Sequence, residues 1–393
     1  VSTGSQVLNL VTFVVTQLAM GITVLIARYL GEKREDQIGS IIGGGTVVFA
    51  AISLVLFVIM VGFARPIAVL MQAPEEAVGL TAAYIRICGV GIFFIVAYNV
   101  LSAIFRGLGD SNSPLLFVFV ACIVNVVGDL VLVAGLGMDA MGAALATVFA
   151  QALSVVFAIV RLVKKGLPFT ITGYDFRWNP QCGKFLQIGL PLALQECLTQ
   201  GSFLALCAFV NRLGLEASSG YGVACKIVNF AMLIPGALMQ STSSFVSQNV
   251  GAGEQKRAKK TMFTGIGIGL LVGCFAFSLV FFRGDLLAGI FSADAAVVQR
   301  GYEYLKGFAP ETLLTAVLFS MMGYFNGNGK TVWVMLQGLI QTLLVRLPFA
   351  YYMSIQPDAS LTNIGLAAPI STAVGIVLNV AYFLYLEHAA KRS

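Results

Sequence analysis

The chain runs to 393 residues, of which 58% are hydrophobic and 11% charged, with a formal net charge of +6. Soluble domains hold roughly 45–50% apolar and about 25% charged residues, so this composition excludes a soluble enzyme and leaves no stretch that reads as a separate soluble domain. The apolar runs are continuous rather than alternating, which predicts an all-α polytopic membrane protein and not a barrel.

Reading for apolar runs broken by polar joints predicts eleven spans, at 7–30, 41–71, 78–105, 113–136, 139–163, 183–213, 219–250, 260–292, 296–326, 331–355 and 362–388. Each reaches the roughly 20 residues needed to cross a hydrocarbon core of about 30 Å, and the longer ones are expected to tilt or extend beyond it. Alternate joints carry Arg28, Lys33, Arg34, Arg106, Arg161, Lys164, Lys165, Arg177, Lys184, Lys256, Arg257, Lys259, Lys260, Lys330, Lys391 and Arg392, against Arg65, Arg212, Arg283 and Arg300 in the others. The positive-inside rule makes the first set cytoplasmic. This predicts a cytoplasmic C-terminus in the inner (cytoplasmic) membrane, and it explains the positive charge without nucleic acid. The seven cysteines show no CxxC spacing and read as small apolar packers, while the only histidine, His388, stands at the C-terminal tail. No disulfide framework or histidine chemistry is indicated, and no HExxH, GxSxG or paired-carboxylate motif points to an enzyme.

A repeat runs through the chain. FRGLGDS from Phe105 returns as FNGNGKT from Phe325, an offset of 220 (325 − 105), and ARYLGEKRED from Ala27 meets SQNVGAGEQK from Ser247 at the same offset. Matching loop glycines at constant offset imply a duplication, with glycines permitting a tight turn between helices. Three parts follow: an N-terminal lobe at 1–163, a linker at 164–182 with Tyr174 and Trp178 as interfacial anchors, and a C-terminal lobe at 183–393. The span at 183–213 opens the second half, and its counterpart would precede residue 1, so the sequence reads as a six-plus-six plan lacking the first helix. Halves with even helix numbers share orientation, which predicts a pseudo-two-fold axis along the membrane normal.

Ionisable groups within spans are functional candidates by default. Asp129 lies in the span at 113–136 with Asn125 one helical turn earlier on the same face. Thr147 sits about eight residues into the following antiparallel helix, at nearly the same depth for a rise of about 1.5 Å per residue. Amide, carboxylate and hydroxyl converging there would suit exchange of a proton or of Na⁺, a hard cation that takes oxygen ligands. Glu196, with Gln195 and Gln200 nearby, is the candidate for binding a cationic substrate. Glu303 and Lys306 are expected to pair with each other. Arg86, Lys226, Glu311 and Arg346 read as span-end residues whose long side chains reach the interface, with a cavity role open for Lys226 and Arg346. Pro235 and Pro310 mark positions where helices bend.

The two six-helix halves, the ARYLGEKRED and SQNVGAGEQKRAKK joints and the FRGLGDS joint resemble the multidrug and toxic compound extrusion (MATE) transporters, across essentially the whole chain. NVVGDL followed by GAALAT is similar to the prokaryotic DinF-like and MepA-like branch. The resemblance implies that Asn125, Asp129 and Thr147 form a cation site with an Asp of the first helix, and that the protein needs no cofactor beyond a coupling ion, H⁺ or Na⁺. Other branches carry an essential Glu on the helix of Glu196, but farther from the proline than the five residues separating Pro191 and Glu196 here. The acid expected on the tenth helix of the Na⁺-dependent branch has no counterpart, since counting back from Gly327 leads to Leu314. The expected function is a monomeric secondary antiporter exporting lipophilic organic cations by alternating access. A flippase for lipid-linked saccharides of the same superfamily is the alternative, with too few intramembrane bases to hold pyrophosphate.

Overall fold

The computed structural model describes residues 2–71, 75–165 and 170–391. Linker residues 166–169, Arg392 of the tail and the side chain of Lys165 lie outside the described residues. Helices run in the order α1 (Ser2–Gly31), α2 (Ile38–Gly62), α3 (Ala64–Leu70), α4 (Val78–Val90), α5 (Ile92–Gly107), α6 (Asn112–Asp129), α7 (Asp139–Lys165) and α8 (Pro180–Asn211). There follow α9 (Leu215–Gly251), α10 (Gln255–Gly289), α11 (Ala295–Phe308), α12 (Glu311–Gly327), α13 (Thr331–Leu339), α14 (Leu347–Ser354), α15 (Leu361–Gly365) and α16 (Ala367–Ala390). Among the described residues nine spans are long and apolar enough to cross a membrane, and eleven result when two bent pairs, α4 with α5 and α11 with α12, each count as one. These eleven are the predicted spans.

The helices fall into two compact units, Val1–Ala193 with Gly251–Gly253, and Leu194–Val250 with Glu254–Ser393. The division falls inside α8, between Ala193 and Leu194.

In the first unit, Ile22, Ile26, Ile41, Phe49, Ile85, Ile92 and Phe185 form a fully buried core. Burial here is between helices, and it depends on close backbone approach rather than on expulsion of water alone. Gly21 and Gly189 show why: a Cβ at Gly21 would strike the Phe185 carbonyl, and one at Gly189 the Leu18 carbonyl, so α1 and α8 touch through their backbones. The linker is docked onto the start of α2. The Asp175 carboxylate accepts from the Thr172 amide at 2.8 Å, the Thr172 hydroxyl at 2.9 Å and the Ser40 hydroxyl at 2.8 Å. Asn179 donates to the Ser40 carbonyl at 2.9 Å, and Gln181 joins Gln37 to the Tyr29 hydroxyl. Of the predicted anchors in this segment, Tyr174 and Trp178 are both exposed.

In the second unit, Leu206, Val210, Tyr221, Leu305, Phe308, Leu361 and Ile364 form the core. The span of α11 and α12 bends by 47° at Ala309–Pro310, while α9 continues through Pro235 as one helix. The equivalent pair α4 and α5 bends by 54° at Gly91, without a proline. One expectation for charged side chains fails in this unit. Glu303 pairs with Arg300 at 3.1 Å, and Lys306 instead lies over the Tyr302 ring at 4.2 Å. Lys226 is exposed, with its ammonium 5.6 Å from the Phe291 ring centre.

The duplication appears bond for bond at the helix ends. α5 ends at Gly107 and α12 at Gly327, each followed by a left-handed glycine, Gly109 (φ 77°) and Gly329 (φ 75°). In both, the next amide reaches back five residues: Asp110 to the Phe105 carbonyl at 2.9 Å and Lys330 to the Phe325 carbonyl at 2.8 Å. This is the Schellman cap, which needs a left-handed residue to satisfy the last carbonyls. The same cap closes α1 and α9, with Arg34 returning to Tyr29 and Glu254 to Asn249, both at 2.8 Å.

Candidate functional site

Helices α6 and α7 run antiparallel in near backbone contact. A Cβ at Gly128 would stand 2.8 Å from that of Ala146, and one at Gly142 would stand 3.1 Å from the Leu132 carbonyl oxygen. This approach brings the predicted side chains together. Asn125 Nδ2 lies 3.3 Å from Thr147 Oγ1, and Thr147 donates its own proton to the Ala143 carbonyl at 2.9 Å. A residue that sequence reasoning did not single out lies beside them: Tyr84 of α4, 4% exposed, is close enough to interact electrostatically with Thr147, Asp129 and Cys88. Its only sequence signal was a phenol inside a span.

Asp129 Oδ1 is buried with no hydrogen-bond partner among the described residues. Its carboxylate borders a shallow groove of about 390 Å³ lined otherwise by Val126, Leu130, Val133, Ala134 and Ala143. Directly after Asp129 the helix widens into a π-helical turn, Leu130–Gly135, in which Leu136 returns its amide to the Val131 carbonyl at 2.9 Å. Such π turns occur mostly as single insertions and frequently at functional sites. An unsatisfied buried carboxylate oxygen is costly unless something binds to it. Among the described residues no cluster of three or more His, Cys, Asp or Glu side chains exists. With one carboxylate and two neutral oxygen groups, the set carries a single negative charge, which matches a proton or a monovalent cation better than a divalent metal.

In the second unit, Gln200 donates to Glu196 Oε1 at 2.7 Å, one turn apart on α8. Gln195 packs instead against α13, its amide only 2.6 Å from where a Cβ at Gly338 would be. Glu196 and Gln200 are thus joined directly, and Gln195 is in contact with α13.

A larger polar assembly lies elsewhere in this unit. Glu311, 4% exposed, begins α12 at the middle of the bent span 295–327, not at a span end. Its Oε1 accepts from Thr372 at 2.8 Å and lies 3.8 Å from the guanidinium of Arg346, itself 8% exposed. Thr372 accepts from Gln341 at 3.0 Å, Gln341 from Gln337 at 2.6 Å, and Arg346 donates to Ser371 at 3.2 Å. Arg346 closes a second π-helical turn, Ile340–Arg346, and its guanidinium carbon lies 5.7 Å from the Phe203 ring centre. Glu311 Oε2 and Gln337 Oε1 are buried with no partner among the described residues. Each unit thus holds a buried acid with one free oxygen and an adjacent π turn.

Comparison with known proteins now places the chain. A family model described as MatE matches residues 1–131 and 191–352, more than half of the chain. The chain belongs to the MATE family. It is 27% identical over 286 residues to the probable multidrug resistance protein YpnP of Bacillus subtilis, covering 72% of this chain and 64% of YpnP. It is 26% identical over 333 residues to the multidrug export protein MepA of Staphylococcus aureus, covering 82% of this chain and 72% of MepA. The match to YpnP thus spans less than two thirds of that relative's length. A solved outward-facing multidrug resistance MATE transporter of the MOP superfamily superimposes with a TM-score of 0.94 at 20% identity, covering 100% of this chain and 88% of that one. That likeness establishes the MATE fold.

Proposed function

We propose that this protein is a multidrug efflux antiporter, exporting lipophilic organic cations in exchange for H⁺ or Na⁺ by alternating access. The observation that carries the reading is Asp129, whose buried oxygen has no partner among the described residues, with Asn125 one turn earlier on the same helix bonded to Thr147 and with Tyr84 in electrostatic contact. One cation or proton at that oxygen removes the uncompensated polar atom. Binding shifts a conformational balance only when the ion has different affinities for the two states, and a π turn, a feature frequent at functional sites, begins one residue later. The names of YpnP and MepA support multidrug substrates, and nothing in them supports the lipid-linked saccharide alternative.

The same reading assigns Glu196, Gln195 and Gln200 to the cationic substrate, with lobes at 1–163 and 183–393 joined by the linker at 164–182. It places the monomer in the cytoplasmic membrane with its C-terminus inside, needing no cofactor. Protein reconstituted in liposomes, loaded with a fluorescent lipophilic cation and driven separately by a pH or a Na⁺ gradient, tests it. The gradient that drives efflux names the coupling ion, and Asp129→Asn abolishes that response while leaving the protein folded. Undiminished gradient-driven efflux in Asp129→Asn overturns the assignment.

A further inference from the structure

At the basic end of the α6 and α7 pair, the outer surface is apolar: Leu115 is 67% exposed and Val163 75%. In a membrane protein such residues face acyl chains. Along one face of α7 a groove of about 450 Å³ is lined by Phe157, Val160, Arg161 and Lys164, at i, i+3, i+4 and i+7 of that helix. Its two polar residues are both cations, and no carboxylate of the described residues lies within ion-pair distance of either.

The groove's depth follows from helix length. The span Asp139–Lys164 has 26 residues, which at 1.5 Å each is about 39 Å and exceeds a hydrocarbon core of about 30 Å. Its last turn, with Arg161 and Lys164, therefore stands at headgroup level, as does Ser113 in the first turn of α6. Arg161 is not loose there. Its Nε donates to Ser113 Oγ at 2.8 Å; that hydroxyl donates to Asp110 Oδ2 at 2.6 Å, and the Ser113 amide donates to Asp110 Oδ1 at 3.0 Å. This chain fixes the arginine stem by one nitrogen and leaves the terminal guanidinium nitrogens for an acceptor in the groove. A planar fork of this kind matches two phosphate oxygens, and a lysine beside it adds a point charge.

We propose that this groove binds the phosphodiester headgroup of an anionic phospholipid, the guanidinium of Arg161 and the ammonium of Lys164 holding the phosphate while an acyl chain lies along Phe157 and Val160. Charge complementarity, headgroup depth and the apolar wall select this occupant over a soluble anion, which would gain nothing from Phe157 and Val160. Basic pockets between spans bind acidic headgroups on general electrostatic grounds. The site is separate from Asp129, so its failure and that of the antiport reading are distinguishable.

Native mass spectrometry of the full chain in detergent, with equimolar short-chain phosphatidylglycerol and phosphatidylcholine, tests the proposal. The expected result is a preference for phosphatidylglycerol on the order of tenfold, reduced in Lys164→Gln and brought to parity in Arg161→Gln/Lys164→Gln. Gel filtration and thermal melting confirm that both variants fold. Equal binding of the two lipids by the unmodified protein, or a preference that survives the double change, overturns it. Complete displacement of phosphatidylglycerol by excess inorganic phosphate also overturns it, because the groove would then be an anion site with no lipid selectivity.

Discussion

Thr147 gives its only proton to the Ala143 carbonyl, so toward Asn125 it can act only as an acceptor, and Asn125 must present its NH₂ there. The amide is thereby oriented with its oxygen free to serve a cation. Thr147→Val keeps the shape and removes the acceptor. Loss of one buried hydrogen bond costs about 0.5–1.5 kcal/mol, so the expected outcome is a several-fold to roughly tenfold weaker dependence of efflux on the driving ion, read from its concentration dependence. Unchanged ion dependence would show that Asn125 is oriented by something else. Glu311 and Arg346 make the opposite kind of pair, buried and partly satisfied. Removing one partner of a buried ion pair leaves an uncompensated charge and costs about 3–5 kcal/mol, whereas replacing both with apolar residues of similar size is often neutral. Arg346→Met is accordingly expected to lower thermal stability sharply, and Glu311→Leu combined with it to recover most of the loss. Additive losses in a melting experiment would show that the two do not interact.

How far a residue's neighbours can be read from sequence depends on the element that carries it. Asn125, Asp129 and Thr147 were legible because a helical turn and one short antiparallel joint relate them. Glu311 and Arg346 were not: 35 positions separate them (346 − 311), and Glu311, read as a span-end residue, lies buried at mid-span just after the bend at Ala309–Pro310. Glu303 had both Lys306 and Arg300 one turn away, and the aromatic face of Tyr302 took Lys306. The π turns, Leu130–Gly135 and Ile340–Arg346, lie inside continuous apolar spans and carry no composition signal. Close approaches were equally hidden, as Gly21 and Gly62 look alike in sequence. Gly62 has nothing within 4 Å of a built Cβ, whereas Gly21 meets the Phe185 carbonyl. Overpacking typically costs about 1–3 kcal/mol, so Gly21→Ala is expected to lower the melting temperature clearly while Gly62→Ala leaves it nearly unchanged. The linker supplies a pH-dependent element. The Thr172 amide first, then the Ser40 hydroxyl, hold the Asp175 carboxyl below its ordinary value of 3.8. A depressed carboxyl stabilises the docked linker above its ordinary pKa, and that contribution disappears as pH falls below about 3.8 through the lowered value. Hydrogen exchange over 172–179 is therefore expected to be slow near neutrality, and faster there in Asp175→Asn. Equal protection in the variant would mean that docking rests on Asn179 and Gln181 alone.

For the whole molecule, duplication makes each unit a control for the other. The caps after α1 and α9 have the same backbone and different residues: the left-handed position is Gly253 (φ 77°) in one and Lys33 (φ 58°) in the other, at the offset of 220 (253 − 33). Their hydrogen bonds have the same length, Arg34 to Tyr29 and Glu254 to Asn249 both at 2.8 Å. The cap therefore demands a positive φ whichever residue occupies it. A side chain in the left-handed region costs roughly 1–2 kcal/mol relative to glycine, partly offset because glycine loses more backbone entropy on folding. Lys33→Gly is expected to raise stability by up to about 1 kcal/mol, and Gly253→Lys to lower it by a similar amount, measured by thermal unfolding in detergent. The two changes exchange the residues between equivalent positions, so the double variant should melt close to the unmodified protein. A gain in Lys33→Gly without a loss in Gly253→Lys would show that the two caps, alike in their bonds, differ in how firmly their flanking helices hold them.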